Sequence, residues 1–333
     1  MIIPIYTAVI CFLLGLLFNK FYFELNKEKF VNQSKLVPNK ENIVGEAGVV
    51  FVITFILFSY INYSFDIIFI DWYKIPRFYS LFFGLFVLFL ISFIDDKYDI
   101  PKRIRFISQV LVCYLSTSAI NLDFTIFPYK IEIILIVFLW VYIINISNFI
   151  DGLNGFLSIN ILFFLAGSLL IIDYYGLKND IIFLIVILAF PLILSFLLFN
   201  FPDPKLFFGD SGSVPVGFLI GYIIIYFFSL NIYIPALFLF LYPIMDVTLT
   251  LIKKVLILKK APWERLFDYY FLKPVINKKK SHQFVFSRIL ITNSANLILL
   301  FFYLNSKNVL LVLLSIFVNI ITLFYFSSFS KKA

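Results

Sequence analysis

Carboxylates recur in this chain where long apolar runs break: Asp95, Asp96 and Asp99 in FIDDKYD, Asp151 in NFIDGLNG, and Asp210 in FFGDSGS. In a sequence that is 62% hydrophobic and only 14% charged, each is a costly residue at the edge of an apolar segment. Asp95 and Asp99 are four positions apart, so on a continuing helical turn they share one face. Converging carboxylates form an oxygen-rich site suited to Mg²⁺, which keeps several waters and takes phosphate oxygens as further ligands. Close like charges also drive pKa values apart, which leaves one carboxylate able to act as a base. The plainer alternative for DDKYD is a solvated helix end. In FFGDSGS, Gly209 and Gly212 permit close backbone approach, Asp210 supplies a hard oxygen, and Ser211 and Ser213 are expected to cap the helix that follows. Such a helix start can receive an anion, and it also reads as an ordinary turn. The Asp151–Gly155 stretch carries the same two readings. Asn145 and Asn148 precede it on an apolar helix, where buried amides need partners.

The elements that must position these residues are membrane helices. Mean hydropathy is +1.01, and 46 Phe and 20 Tyr exceed what a soluble core requires. Runs near or above the roughly 18-residue spanning length recur at about 2–18, 43–61, 78–94, 104–120, 131–149, 155–172, 181–200, 212–229, 233–251, 288–304 and 308–327. They are continuous rather than alternating, which predicts helices and not barrel strands. The expectation is an all-α bundle of about eleven transmembrane helices, forming one integral membrane domain over residues 1–333. The first run has no basic start or small-residue cleavage site and is read as a span, not a signal peptide. Two polar interruptions stand out, 19–42 and the long basic loop 252–287. With this alternation, all but five of the 27 Lys and Arg (the exceptions being Lys74, Arg77, Lys130, Lys178 and Lys307) fall on the side of the C-terminus. The positive-inside rule then places that side in the cytoplasm and the N-terminus outside. All three acidic clusters lie on the same, cytoplasmic, side. Cys11 and Cys113 lie within apolar runs and have no metal-like spacing. The net charge of +8 sits in membrane-flanking segments with no nucleic-acid module, and suits anionic headgroups or a phosphorylated substrate.

NISNFIDGLNG, FIDDKYDIPKRIRFISQ, FNFPDPKLFFGDSGS and YPIMDVTLTLIKK, in a chain of about this many spans, resemble the polyprenyl-phosphate N-acetylhexosamine-1-phosphate transferases. The resemblance runs from about Asp95 to His282. It implies a bundle of ten or eleven helices with a cytoplasmic cleft. It also implies transfer of a sugar 1-phosphate from a UDP-N-acetylhexosamine to undecaprenyl phosphate in the bacterial inner membrane, with Mg²⁺ (or Mn²⁺) as cofactor and a homodimer as an allowed assembly. Asp95 and Asp96 match the essential aspartate pair. Asp210 matches the principal metal ligand, with Asp96 beside it. Asn200 and Lys205 match polar positions ahead of FGD, Phe207 the aromatic that stacks on uracil, and Asp151 with Asn148 the nucleotide pocket. Mg²⁺ bridging a diphosphate while a phosphate oxygen attacks in line is consistent with those roles. The acceptor phosphate is already anionic, so Asp95 either deprotonates it or positions it, with an aspartyl-phosphate intermediate as the second route.

His282, the only histidine, lies in KKKSHQFVFSRIL, where the family carries a His/Arg-rich loop that contacts the donor diphosphate; Lys279, Lys280 and Arg288 supply charge there. A lone His is otherwise an ordinary loop residue. APWERLFDYYFLKP and VPNKENIVGEAGVV depart from the family pattern, the latter at its Pro-x-x-Gly-Gly element. The His-rich signature of the muramyl-pentapeptide branch is absent, which favours initiation of another surface glycan such as O-antigen, capsule or teichoic acid. Two other classes compete. An intramembrane prenyltransferase needs two DDxxD-like elements, and GDSGS is not one. A transporter would place carboxylates near the midplane between interrupted helices in corresponding halves.

Overall fold

The computed structural model describes residues 2–28, 43–74, 77–120, 122, 128–261 and 268–330. Its helices are α1 (Ile2–Asn26), α2 (Gly48–Phe65), α3 (Tyr79–Tyr98), α4 (Lys102–Ser116), α5 (Tyr129–Ile150), α6 (Phe156–Tyr175), α7 (Ile181–Asn200), α8 (Asp210–Ser229), α9 (Tyr233–Leu237), α10 (Leu241–Leu256), α11 (Lys273–Lys278), α12 (His282–Ser306) and α13 (Leu310–Ser327). Among the described residues the sole β-type pairing is an isolated bridge between Val44 and Leu206. Among the described residues nine helices are long and apolar enough to cross a membrane: α1, α2, α3, α5, α6, α7, α8, α12 and α13.

The two remaining expected spans are built differently. α4 has only 15 residues and opens on Lys102, Arg103 and Arg105, which keeps it below the length and apolarity of a spanning helix. It nevertheless runs the length of α3. Beyond its end a short 3-10 turn, Thr117–Ala119, brings Ser116 Oγ to Ser80 O (3.3 Å) and Ser118 Oγ to Ser80 Oγ (3.2 Å), at the start of α3. The 233–251 run is not one helix but α9 and α10, separated at Phe238–Phe240, where Phe240 adopts φ 55°. Pro243 explains the break. It has no N–H to donate, and in a continuous helix its ring would strike the carbonyl of Leu239.

α8 is the axis of the bundle, with 89% of its apolar window buried. Close approach to α2 is possible because both helices present glycine: a Cβ on Gly48 would collide with the backbone of Gly212. Polar side chains join other helices inside the apolar layer, where each needs a partner. Asn19 Nδ2 donates to Ser195 Oγ (3.3 Å) between α1 and α7, and Asn293 Nδ2 to Asn160 Oδ1 (3.0 Å) between α12 and α6. Thr292 and Thr322 pair at 2.7 Å between α12 and α13. Outward faces carry large apolar side chains such as Phe83, Leu135, Phe138, Phe301 and Phe317, as contact with lipid tails requires.

Helix ends alternate strictly between the two faces of the bundle. The C-terminal ends of α1, α3, α5, α7 and α13 and the N-terminal ends of α2, α4, α6, α8 and α12 share one face, where Tyr22 bonds Gly45 O, Arg105 meets Asp95 and Asp210, and Asn277 bonds Phe329 O. α1 therefore begins and α13 ends on opposite faces. Of the expected 19–42 loop, residues up to Asn26 continue α1, and 29–42 lie outside the described residues. Of the 252–287 loop, α10 takes the first turn and 262–267 lie outside the described residues, while Asp268–Lys278 fold back onto the bundle.

Candidate active site

The site is built at the face where those helix ends meet. α3 ends with Asp99 in the left-handed region (φ 51°), its N–H bonded to Asp95 O at 3.0 Å. Pro101 then starts α4. Asp95 is buried and locks this corner: Oδ1 accepts the Ile100 N–H at 2.7 Å, and Oδ2 accepts Arg105 Nη1. Asp96, a step further round the helix, points across to α8. Its Oδ1 accepts the N–H of Asp210 (3.1 Å) and its Oδ2 the N–H of Ser211 (3.0 Å).

Asp96 is thus the cap of α8, supplied from 114 residues away. Capping by the hydroxyls of Ser211 and Ser213, expected from the sequence, does not occur; both side chains are buried within the bundle. The carboxylate instead satisfies two of the helix's unpaired N–H groups and meets its positive dipole end. The preceding residue has to be glycine. Gly209 has φ 74°, and a Cβ there would lie 2.9 Å from Asp96 Oδ2.

Asp210 Oδ2 accepts Arg105 Nη1 at 2.9 Å, and the Asn148 side chain bonds the same carboxyl group. Asp151 ends α5 beside them, with the Gly209 N–H turned toward its carboxylate. The Asp151 carboxyl is pushed well above the usual carboxylate range, first by burial and then by the charges of Asp210 and Asp96, against the Gly209 N–H. Glu46, in the left-handed region before α2, is buried near Asp96 and Gly209. Burial raises its pKa and the charge of Lys97 lowers it, with the rise prevailing.

Around this cluster Asn200 works as a clamp. Its Oδ1 accepts the N–H of Gly155 (2.6 Å) and its Nδ2 donates to Leu206 O (2.8 Å), which ties the turn after α5 to the loop before α8. That loop pairs with the segment before α2 through Val44 N–H to Lys205 O (3.0 Å) and Phe207 N–H to Val44 O (2.8 Å). Phe207 is half-buried and Lys205 exposed on its rim. The N–H of Asn154 donates to His282 Nδ1 (3.2 Å), so α12 begins against the Asp151 turn. With Nδ1 accepting, a neutral ring carries its proton on Nε2. Lys280 is not brought to the carboxylates. Its Nζ lies 5.6 Å over the ring of Phe284, which packs on Tyr325 of α13.

Sequence reading assigned no role to Arg105 or Asp246. Arg105 joins Asp95 to Asp210, and the signal for it was three cations in the first turn of α4, where the helix dipole disfavours them. Asp246 is fully buried in α10 and gathers the long basic loop: it accepts the N–H groups of Tyr270 (2.9 Å) and Phe271 (3.0 Å) and the hydroxyl of Tyr242 (2.8 Å). Phe271 then stacks on Phe156 (4.2 Å, 16°) and Tyr269 on Phe149 (6.0 Å), on either side of the Asp151 turn. The signal was a lone carboxylate in the apolar run YPIMDVTL.

Among the described residues no three His, Cys, Asp or Glu side chains are arranged to enclose a metal by themselves. The donors that converge are the carboxylates of Asp210 and Asp151 and the amide of Asn148. Hard oxygen donors, few in number, fit Mg²⁺, which takes one or two carboxylates and completes its shell with water and phosphate oxygens. Asp96 spends an interaction of each oxygen on α8, and both oxygens of Asp95 are engaged behind Arg105.

The family model described as glycosyl transferase family 4 matches residues 78–228, the stretch from α3 through α8 that carries Asp95, Asp96, Asp151 and Asp210. An undecaprenyl-phosphate alpha-N-acetylglucosaminyl 1-phosphate transferase of Thermotoga maritima is 32% identical over 176 residues, 53% of this chain and 54% of the relative. A Bacillus subtilis protein named as a probable undecaprenyl-phosphate N-acetylglucosaminyl 1-phosphate transferase is 30% identical over 190 residues, 52% and 51% of the two chains. A phospho-N-acetylmuramoyl-pentapeptide-transferase of Thermotoga neapolitana is 29% identical over 238 residues, 63% and 71%. The chain spans about half the length of the first two relatives. The segment that builds the acidic site is thus the part of the chain that resembles glycosyl transferase family 4.

Proposed function

We propose that the chain transfers an N-acetylhexosamine 1-phosphate from its UDP derivative to undecaprenyl phosphate, releasing UMP and forming undecaprenyl-diphosphate sugar. One observation carries this reading: Asp96, Asp151, Asp210 and Asn148 converge at one end of a bundle whose flanks face lipid. There a lipid-borne phosphate in the membrane surface meets a water-borne diphosphate. The names of the relatives support the chemistry, and the Lys and Arg bias toward this face supports a cytoplasmic site in the inner membrane.

In the reaction an oxygen of the lipid phosphate forms a bond to the sugar-bearing phosphorus of the donor, and the bond from that phosphorus to the UMP oxygen breaks. Mg²⁺ or Mn²⁺, held by Asp210 and Asp151 with Asn148, supplies charge neutralisation of the diphosphate when bound. Asp96 holds the backbone of Asp210 in register with that donor set. Asp95 positions rather than deprotonates, since both its oxygens are engaged and a phosphate nucleophile is already anionic. His282 and the Asn200-clamped turn shape the donor side, and Phe207 is the nearby ring suited to a base. The single histidine of the Ser-His-Gln stretch favours a surface-glycan donor over the muramyl-pentapeptide one.

The test is release of UMP by purified protein given undecaprenyl phosphate, Mg²⁺ and, separately, UDP-N-acetylglucosamine, UDP-N-acetylgalactosamine and UDP-N-acetylmuramoyl-pentapeptide. Turnover with an N-acetylhexosamine donor and none with the pentapeptide is expected. Turnover only with the pentapeptide would move the chain to the other branch, and no UMP from any donor would remove the reading.

A further inference from the structure

We propose that Arg105 is the resident counter-cation of the carboxylate cluster: its guanidinium neutralises Asp210 in the substrate-free site and yields that oxygen when a divalent cation binds. The inference rests on the functional reading above but concerns a residue to which that reading gives no task.

Asp96, Asp151 and Asp210 stand close enough to act on one another electrostatically, and Asp95 lies directly behind. Concentrated negative charge of this kind needs compensation when no substrate is present. The ion pair that supplies it is Arg105's, made to Asp95 and to Asp210 Oδ2. Its two carboxylates differ in accessibility. The Asp95 side chain is 6% exposed and is further secured by the Ile100 N–H, whereas the Asp210 side chain is 31% exposed and the Arg105 side chain 26%. Asp95 is therefore the permanent anchor and Asp210 the exchangeable partner.

Both contacts use the same nitrogen, Nη1, so Asp210 is held by one hydrogen bond and not by a two-pronged fork. That single bond can open while the guanidinium stays on Asp95. A divalent cation on Asp210 and a guanidinium on the same oxygen repel each other strongly at this distance, so the two cations must alternate there. Fixing Arg105 to Asp95 also explains why α4 tolerates a cation in its first turn.

The experiment is a Mn²⁺ titration of the purified full-length protein in detergent, with free Mn²⁺ read by electron paramagnetic resonance, alongside thermal melting with and without Mn²⁺. Arg105→Gln is expected to bind Mn²⁺ about tenfold more tightly than the unmodified protein, and to melt lower without metal but not at saturating Mn²⁺. Arg105→Lys, which keeps the charge, stays within about threefold of the unmodified affinity. Asp95→Asn gives the opposite sign: with Asp210 as its sole carboxylate partner, Arg105 competes harder and Mn²⁺ binding weakens. Equal or weaker Mn²⁺ binding in Arg105→Gln, or unchanged binding in Asp95→Asn, overturns the inference and leaves the transferase reading intact. An unmodified protein that binds no Mn²⁺ and releases UMP in EDTA overturns the metal assignment and this inference together.

Discussion

The carboxylate of Asp96 caps the helix that begins with Asp210: the Asp210 N–H lies 3.1 Å from Asp96 Oδ1 and the Ser211 N–H 3.0 Å from Oδ2. Two acidic residues that would repel as side chains are joined through the backbone of one of them. The position of the Asp210 carboxylate is thereby set by α3 as much as by α8. Asp96→Ala should cost about 1–2 kcal/mol of stability, the value of a lost cap, and lower turnover by at least about a hundredfold as Asp210 loses its register. Thermal melting and UMP release together check this. Full turnover with a lowered melting temperature would limit Asp96 to structure.

Asp210→Ala should abolish UMP release while the protein still inserts and elutes as a single species, because Asp210 is half-exposed at a helix start and not part of the core. EDTA should have the same effect on the unmodified protein, and added Mg²⁺ should reverse it. Activity that survives either treatment would separate this carboxylate from the chemistry.

Glu46 predicts a pH effect on stability with a definite sign. Its folded-state pKa is raised, chiefly by burial, so the folded protein binds more protons than the unfolded chain between the ordinary glutamate value and the raised one. Its contribution is therefore greatest below the ordinary value and is lost as pH rises through the raised one. Glu46→Gln should flatten the melting temperature against pH over that window. An unchanged slope in the variant would assign the pH dependence to another group.

Asn200→Ala breaks two buried hydrogen bonds at once, from Gly155 and to Leu206, and leaves both backbone groups unpaired. A loss of about 2–4 kcal/mol is expected. KM for the UDP-sugar should rise more than kcat falls, since the clamp shapes the turn after α5 and the loop before α8 and touches no reacting atom. A fall in kcat at unchanged KM would point to a more direct role.

Asp246→Ala should release the segment around Tyr270 and Phe271 from the bundle, because their N–H groups lose the carboxylate that holds them. Limited trypsin digestion should then cut at Lys259 or Lys260 faster than in the unmodified protein, and donor affinity should fall with the displaced Tyr269 and Phe271 rings. Unaltered cleavage would show that aromatic stacking alone docks the loop.

Hydropathy alone determined that this is a helical membrane protein and where most of its helices lie, because in lipid a long apolar segment has to satisfy its own backbone hydrogen bonds and only a helix does so. Acidic residues at the breaks of those segments marked the candidate site, since uncompensated charge is costly there. Which partner each one takes is a tertiary matter. The bond from Asp96 to the start of α8, the bridge from Arg105 to Asp95 and Asp210, and the grip of Asp246 on Tyr270 and Phe271 depend on which helix ends the fold brings to one face. No periodicity encodes that. The same holds for the 233–251 run, whose hydropathy reads as one span although Pro243 divides it, and for Ser211 and Ser213, which look like caps until a carboxylate from another helix takes the place. Local pattern sets what each segment can form, and long-range packing decides what its polar ends touch.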